Sequence, residues 1–136
     1  MNTLSVEQKA DHGNQFVVPE MLPILSLSEL VIFPGIIVPM AISEEAMIRL
    51  VNDALAGNKL LGCFTLKPGG DGEELSHYHT GTCSQIMKLF RVPDGSVRLL
   101  VRGLARIQLL EIMRRHPYPL ARVEETPRDR RRSLRL

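Results

Sequence analysis

This sequence predicts an α+β fold: a mostly antiparallel, rolled sheet of about six or seven strands with one main helix at about 44–56. Three observations carry that expectation. Short apolar runs are punctuated by Pro23, Pro34 and Pro39. Each proline lacks a backbone donor and fixes φ, so it suits a strand start, an edge or a corner. Only one stretch, Glu44–Ala56, repeats its apolar residues at helical spacing. Finally, Pro93-Asp94-Gly95-Ser96 separates two apolar runs, and Asp-Gly supplies the positive φ of a tight hairpin turn.

Met1–Gln15 is polar and aperiodic, and residues 1–20 are expected to form a flexible leader. Leu22–Leu27 suits a strand with a buried face, Phe33-Pro34-Gly35 a turn, and Ile36–Ile42 the next strand. Ser43 is expected to cap the helix, with the carboxylates of Glu44 and Glu45 at the positive end of its dipole. Met47, Leu50, Val51, Ala54 and Leu55 form its apolar stripe. Gly57 is expected to close it with a left-handed cap. Lys59–Lys67 reads as a short buried strand, and Pro68–Glu74 as a glycine-rich loop. Thr80–Val92 is a long, bent strand, and Val97–Val101 returns antiparallel to it. Gly103 then interrupts an apolar run, which marks a bulge or corner. Tyr118–Glu125 closes the sheet. The short loops and the hairpin favour this rolled arrangement over alternating βαβ units.

At 136 residues and 44% hydrophobic content the chain can bury one core. Its 4% aromatic content leaves few stacking platforms for single-stranded nucleic acid. Of the charges, five Arg and Asp129 fall in 128–135, which leaves 12 basic and 14 acidic residues in the body. A near-neutral body does not advertise a nucleic-acid surface. The basic stretch 127–136 reads as a linker or the start of a truncated helix, in preference to a nucleic-acid or lipid contact. No apolar run reaches the ~18–20 residues of a membrane span. Nor does the amino terminus resemble a signal peptide, so a cytoplasmic location is expected.

Enzyme motifs are missing: there is no phosphate-binding G-x-x-x-x-G-K-[ST], no G-x-S-x-G and no H-E-x-x-H. His77 and His79 with Cys83 fall short of a zinc set and read better as a loop leading into a strand. Cys63 and Cys83 sit in apolar segments and read as buried thiols, with a disulfide or metal site as the minority alternative. The pairs Glu73-Glu74 and Glu124-Glu125 read as solvated surface. No catalytic, cofactor or metal residue is expected in this segment. Phe33, Ile36, Ile37 and Met40 flank turn prolines. They either pack in the core or form an exposed apolar patch for partner chains.

The ordered set of segments resembles the amino-terminal domain of the Lon ATP-dependent proteases. Leu22–Met40 is similar to that family's opening strands, and Ala41–Asn58 to its first helix. Thr80-Gly81-Thr82-Cys83-Ser84-Gln85-Ile86 is similar to its "GT-x-x-x-I" strand. Leu89–Val101 resembles its "PDG" hairpin, Arg102–Ile107 its "x-GL-x-R" corner, and Pro117–Glu125 its closing strand. The match covers about residues 22–126.

The resemblance implies a PUA-like pseudo-barrel over 21–126 that recognises substrates and helps organise a ring. Its implied partners are unfolded or damaged proteins, the rest of a Lon chain and neighbouring subunits, with no membrane. ATP and Mg would serve an absent motor domain, and a Ser–Lys protease domain would follow it. Under this reading the candidate substrate-binding residues are Phe33, Ile36, Ile37 and Met40, with Glu44 and Glu45 at the helix entrance. Ser28, Glu44-Glu45 and Arg102 depart from the family's usual charges, so apolar contacts carry over better than polar ones. A stand-alone Lon-like adaptor or ligand-binding module is the first alternative, and a PUA-like RNA-binding module the second.

Overall fold

A computed structural model describes residues 17–28, 30–67 and 78–127. The leader Met1–Gln15, the loop Gly69–Glu74, His77 and the tail from Arg128 onward lie outside the described residues. Six strands and one helix follow in the order β1 (Met21–Leu27), β2 (Ile37–Ile42), α1 (Glu45–Ala56), β3 (Leu60–Thr65), β4 (Thr80–Arg91), β5 (Val97–Arg114) and β6 (Leu120–Glu125).

The sheet order is β2-β5-β4-β3-β1-β6, and β5 pairs with β6 as well. That extra pairing closes β1, β3, β4, β5 and β6 into a barrel and leaves β2 as a flap on β5. The expected rolled, mostly antiparallel sheet is therefore present. Its single parallel ladder joins β1 to β3, Ile24 opposite Gly62 through Leu27 opposite Thr65.

The long β5 makes this closure possible. One edge of it pairs with β4 from Val97 to Gln108. The other edge takes β2 along Val97–Arg102 and β6 along Ile107–Arg114. Between those partners sits Gly103, the residue the sequence marks as a corner. There the register against β4 slips, with Cys83 opposite Ala105 and Ser84 opposite Gly103. One extra residue of this kind increases local twist and bends the strand. Gly103 also donates its N–H to the Ile36 carbonyl (2.9 Å) and accepts from the Gly35 N–H (2.8 Å).

Two apolar clusters hold the layers together. Inside the barrel lie Leu22, Ile24, Leu60, Phe64, Cys83, Ile107, Ala121 and Val123. Under the helix, Met47, Leu50, Val51 and Ala54 pack on Leu25, Leu27, Leu61, Cys63, Val97, Leu99 and Val101. The strands β1 and β3 feed both clusters, so they read as nearly continuous apolar runs rather than alternating ones.

The helix ends differ from the sequence expectation. Glu44, not Ser43, is the N-cap, and no side chain caps it. At the other end Gly57 has φ −111°, outside the left-handed region, and Lys59 takes φ 66° instead. The Gly57 and Lys59 amides both donate to the Ala54 carbonyl, and Asn58 Oδ1 accepts from the Leu60 amide. The exit is thus two residues longer than a glycine cap needs. The hairpin matches its signal: Gly95 has φ 96°, and Asp94 Oδ1 accepts from both the amide and the hydroxyl of Ser96.

Candidate functional site

The chain from Leu30 to Ile37 forms a corner that alternates between anchors and exposed apolar groups. Ile32 is buried, while Val31, Phe33, Ile36 and Ile37 are each about half exposed. Polar straps hold the backbone. The Thr65 hydroxyl donates to the Leu30 carbonyl (2.8 Å), and the Thr82 hydroxyl, itself buried, donates to the Ile32 carbonyl. The Gly103 bonds fix Gly35 and Ile36. Gly35 needs its positive φ of 87° to turn the corner. At Gly103 an added Cβ would collide with the Phe33 carbonyl group, so only glycine permits this crossing.

Phe33 at 52%, Ile36 at 49% and Ile37 at 53% exposure therefore stand on a fixed backbone. Holding such residues in water forgoes burial worth about 25 cal/mol per Å² of apolar area. Several exposed apolar groups on one corner make it the candidate interaction surface of this fold. The guanidinium of Arg106 lies 5.6 Å from the centre of the Phe33 ring. That leaves Phe33 stiffened but partly uncovered.

The remaining sequence candidates separate from this group. Met40 is half-buried and packs with Val38 against the helix-side cluster. The cause is strand alternation: Ile37, Pro39 and Ala41 face outward, and Val38, Met40 and Ile42 inward. Glu44 and Glu45 are exposed, but they follow the far end of β2, roughly 20 Å from Ile37 at strand rise per residue. They belong to the helix entrance rather than to the corner. Sequence reasoning missed Val31, which alternates with buried Ile32, and Arg106, whose place beside Phe33 depends on non-local pairing.

Other features offer less. A depression of about 160 Å³ lies between the helix end and β6, where Tyr118 donates to Asp53 Oδ2 at 2.7 Å. Ligand pockets usually reach ~300–1,000 Å³. Burial first, and then the Asp53 bond, raise the Tyr118 pKa. Among the described residues no group of three or more His, Cys, Asp or Glu could hold a metal ion. No described helix is long and apolar enough to cross a membrane.

Cys63 and Cys83 are free and buried. Burial pushes both thiols up to about 12 from an ordinary 9.0. An unfolded thiol would ionise near 9 while the folded one stays neutral, so neither thiol costs the fold stability well below pH 9. Stability should then fall by about 1.4 kcal/mol per pH unit for each thiol as pH rises toward 12. Urea denaturation between about pH 8 and pH 10 checks this, and replacing both cysteines by Ala should flatten the slope.

The descriptive family model for the ATP-dependent protease La (LON) substrate-binding domain matches residues 21–135. This chain belongs to that family. It is 44% identical over 108 residues to the Lon protease of Dictyoglomus thermophilum, covering 79% of this chain and 14% of that one. With the Lon protease of Roseiflexus castenholzii it shares 39% over 107 residues, covering 78% and 13%. The chain thus spans about one-seventh of the length of these Lon relatives. Two solved structures share the fold. The Lon N-terminal domain protein of Xanthomonas campestris has a TM-score of 0.66 at 22% identity, covering 80% of this chain and 61% of that one. The N-terminal domain of Mycobacterium avium complex Lon protease has 0.64 at 20%, covering 80% and 56%. The expected family and the rolled α+β fold are both met.

Proposed function

We propose that this Lon substrate-binding domain captures unfolded or damaged protein chains for a cytoplasmic, ATP-dependent Lon protease. The observation that carries this reading is the strapped corner, which fixes Phe33, Ile36 and Ile37 half exposed on rigid backbone. Each apolar contact is weak and makes little sequence demand, which suits partners that share only exposed hydrophobic chain. Several copies in one ring would multiply the affinity through effective concentration. The domain performs no catalysis itself. ATP and Mg act in a motor domain of the same parent chain, and a Ser–Lys site cuts the peptide bond.

Replacing Ile36 and Ile37 together by Ser tests the assignment. Both side chains are about half exposed, so the fold should remain intact. Binding of unfolded casein should weaken about tenfold, the effect of losing roughly 1.4 kcal/mol of apolar contact. Unchanged casein binding by a well-folded double variant would remove the corner from substrate capture.

A further inference from the structure

The outer face of β4, β5 and β2 carries a pattern that the corner alone does not explain. Strand register places Ile37, Arg102 and Gln85 in one row, Pro39, Leu100 and Lys88 in the next, and Ala41, Arg98 and Phe90 in the third. Every one of these side chains is exposed or half-buried. The opposite face, with Val38, Ile42, Val97, Leu99, Val101 and Ile86, lies against the helix-side core.

Three cations therefore share this face with Ile37, Leu100 and Phe90, and its three rows contain no carboxylate. Among the described residues the one ion pair joins Arg122 to Glu111, away from here. Lys88 instead lies 5.8 Å from the Phe90 ring centre. Arg98 acts on Asp94 at the hairpin end, and Ser96 already engages that carboxylate.

We propose that this face binds extended acidic segments of captured chains, with carboxylates on Arg98, Arg102 and Lys88 and apolar side chains on Ile37, Leu100 and Phe90. The inference rests on the capture reading above and adds a charge preference to it. Arg98 and Arg102 lie four residues apart on one strand face, roughly 13 Å, with Leu100 between them. An extended peptide repeats its side chains on one face with the same period of two. It would therefore set carboxylate, apolar group and carboxylate against Arg, Leu and Arg. Charge complementarity of this kind gives specificity and a fast encounter. A single-stranded nucleic acid fits less well. Only Phe90 is aromatic in the three rows, so there is no run of stacking platforms.

The test uses two labelled twelve-residue peptides, one repeating Glu-Ser-Leu-Ser and the other Lys-Ser-Leu-Ser, with the wild-type chain and Arg98→Gln/Arg102→Gln. These arginines are exposed, and thermal melting confirms that the variant folds. The glutamate peptide should bind the wild type at least tenfold more tightly than the lysine peptide, and this preference should fade with added salt. The double variant should lose most of it. Equal binding of the two peptides, or a preference that survives in the variant, overturns the proposal. So does an oligothymidylate that binds this face while the glutamate peptide does not. The Ile36→Ser/Ile37→Ser chain separates the two readings. Loss of casein binding there, with no glutamate preference in the wild type, leaves capture standing and removes only the acidic preference.

Discussion

A Gly103→Ala chain is expected to lose about 3 kcal/mol of stability and to release the Phe33–Ile37 corner from the barrel. The added Cβ would meet the Phe33 carbonyl oxygen and carbon, which are backbone atoms and cannot rotate away. Overpacking at well-packed sites costs roughly 1–3 kcal/mol, and a collision with backbone lies at the upper end. The same displacement would stretch the bonds from Gly103 to Ile36 and from Gly35 to Gly103. Two readouts should therefore change together. Urea midpoints should fall, and the amides of Gly35 and Gly103 should exchange faster than those of the helix. A variant as stable as the wild type, with both amides protected, would show that the corner does not depend on this crossing.

Phe64→Ala is expected to be at least as damaging, by about 3–5 kcal/mol. Phe64 is 1% exposed and is the largest fully buried side chain among the described residues. It fills the barrel interior between Leu22, Ile24, Leu60 and Ile107. Those neighbours sit on hydrogen-bonded strands that cannot collapse into the void, so the cavity term adds to the lost transfer energy. Domains of this size are typically stable by only ~5–15 kcal/mol, so the loss should lower the melting temperature by more than ten degrees, at several degrees per kcal/mol. Calorimetry checks this, and a shift of only a degree or two would mean that Phe64 does not plug a rigid barrel.

Local signals in the sequence transferred well to the fold. The helix follows from the spacing of Met47, Leu50, Val51 and Ala54, and the hairpin from Asp94-Gly95. Gly103 announced a special position, although a single sequence does not show what crosses it. The crossing partner, Phe33, lies far away in the chain. The parallel pairing of β1 with β3 was hidden for the same reason, since strand partners are chosen by the whole core rather than by local pattern.

Met40 shows a different limit. Its place beside Pro39 suggests exposure, yet a period of two sends it inward once Ile37 faces out. Glu44 and Glu45 stand at the helix entrance, as the sequence indicates, but β2 carries that entrance away from the corner. The rows that set Arg98, Arg102 and Lys88 beside Ile37 and Leu100 arise from the registers of two ladders. A one-residue slip in either would set the partner strand's other face beside Arg98 and Arg102. No local motif encodes that arrangement.

Nuclear magnetic resonance mapping of the backbone amides during titration with unfolded casein tests the central claim most directly. Shift changes should concentrate at Val31, Phe33, Ile36 and Ile37 and extend along the outer face of β2. Changes centred instead on the depression at Tyr118, or on the exposed Leu110 and Met113 of β5, with the corner silent, would contradict the account.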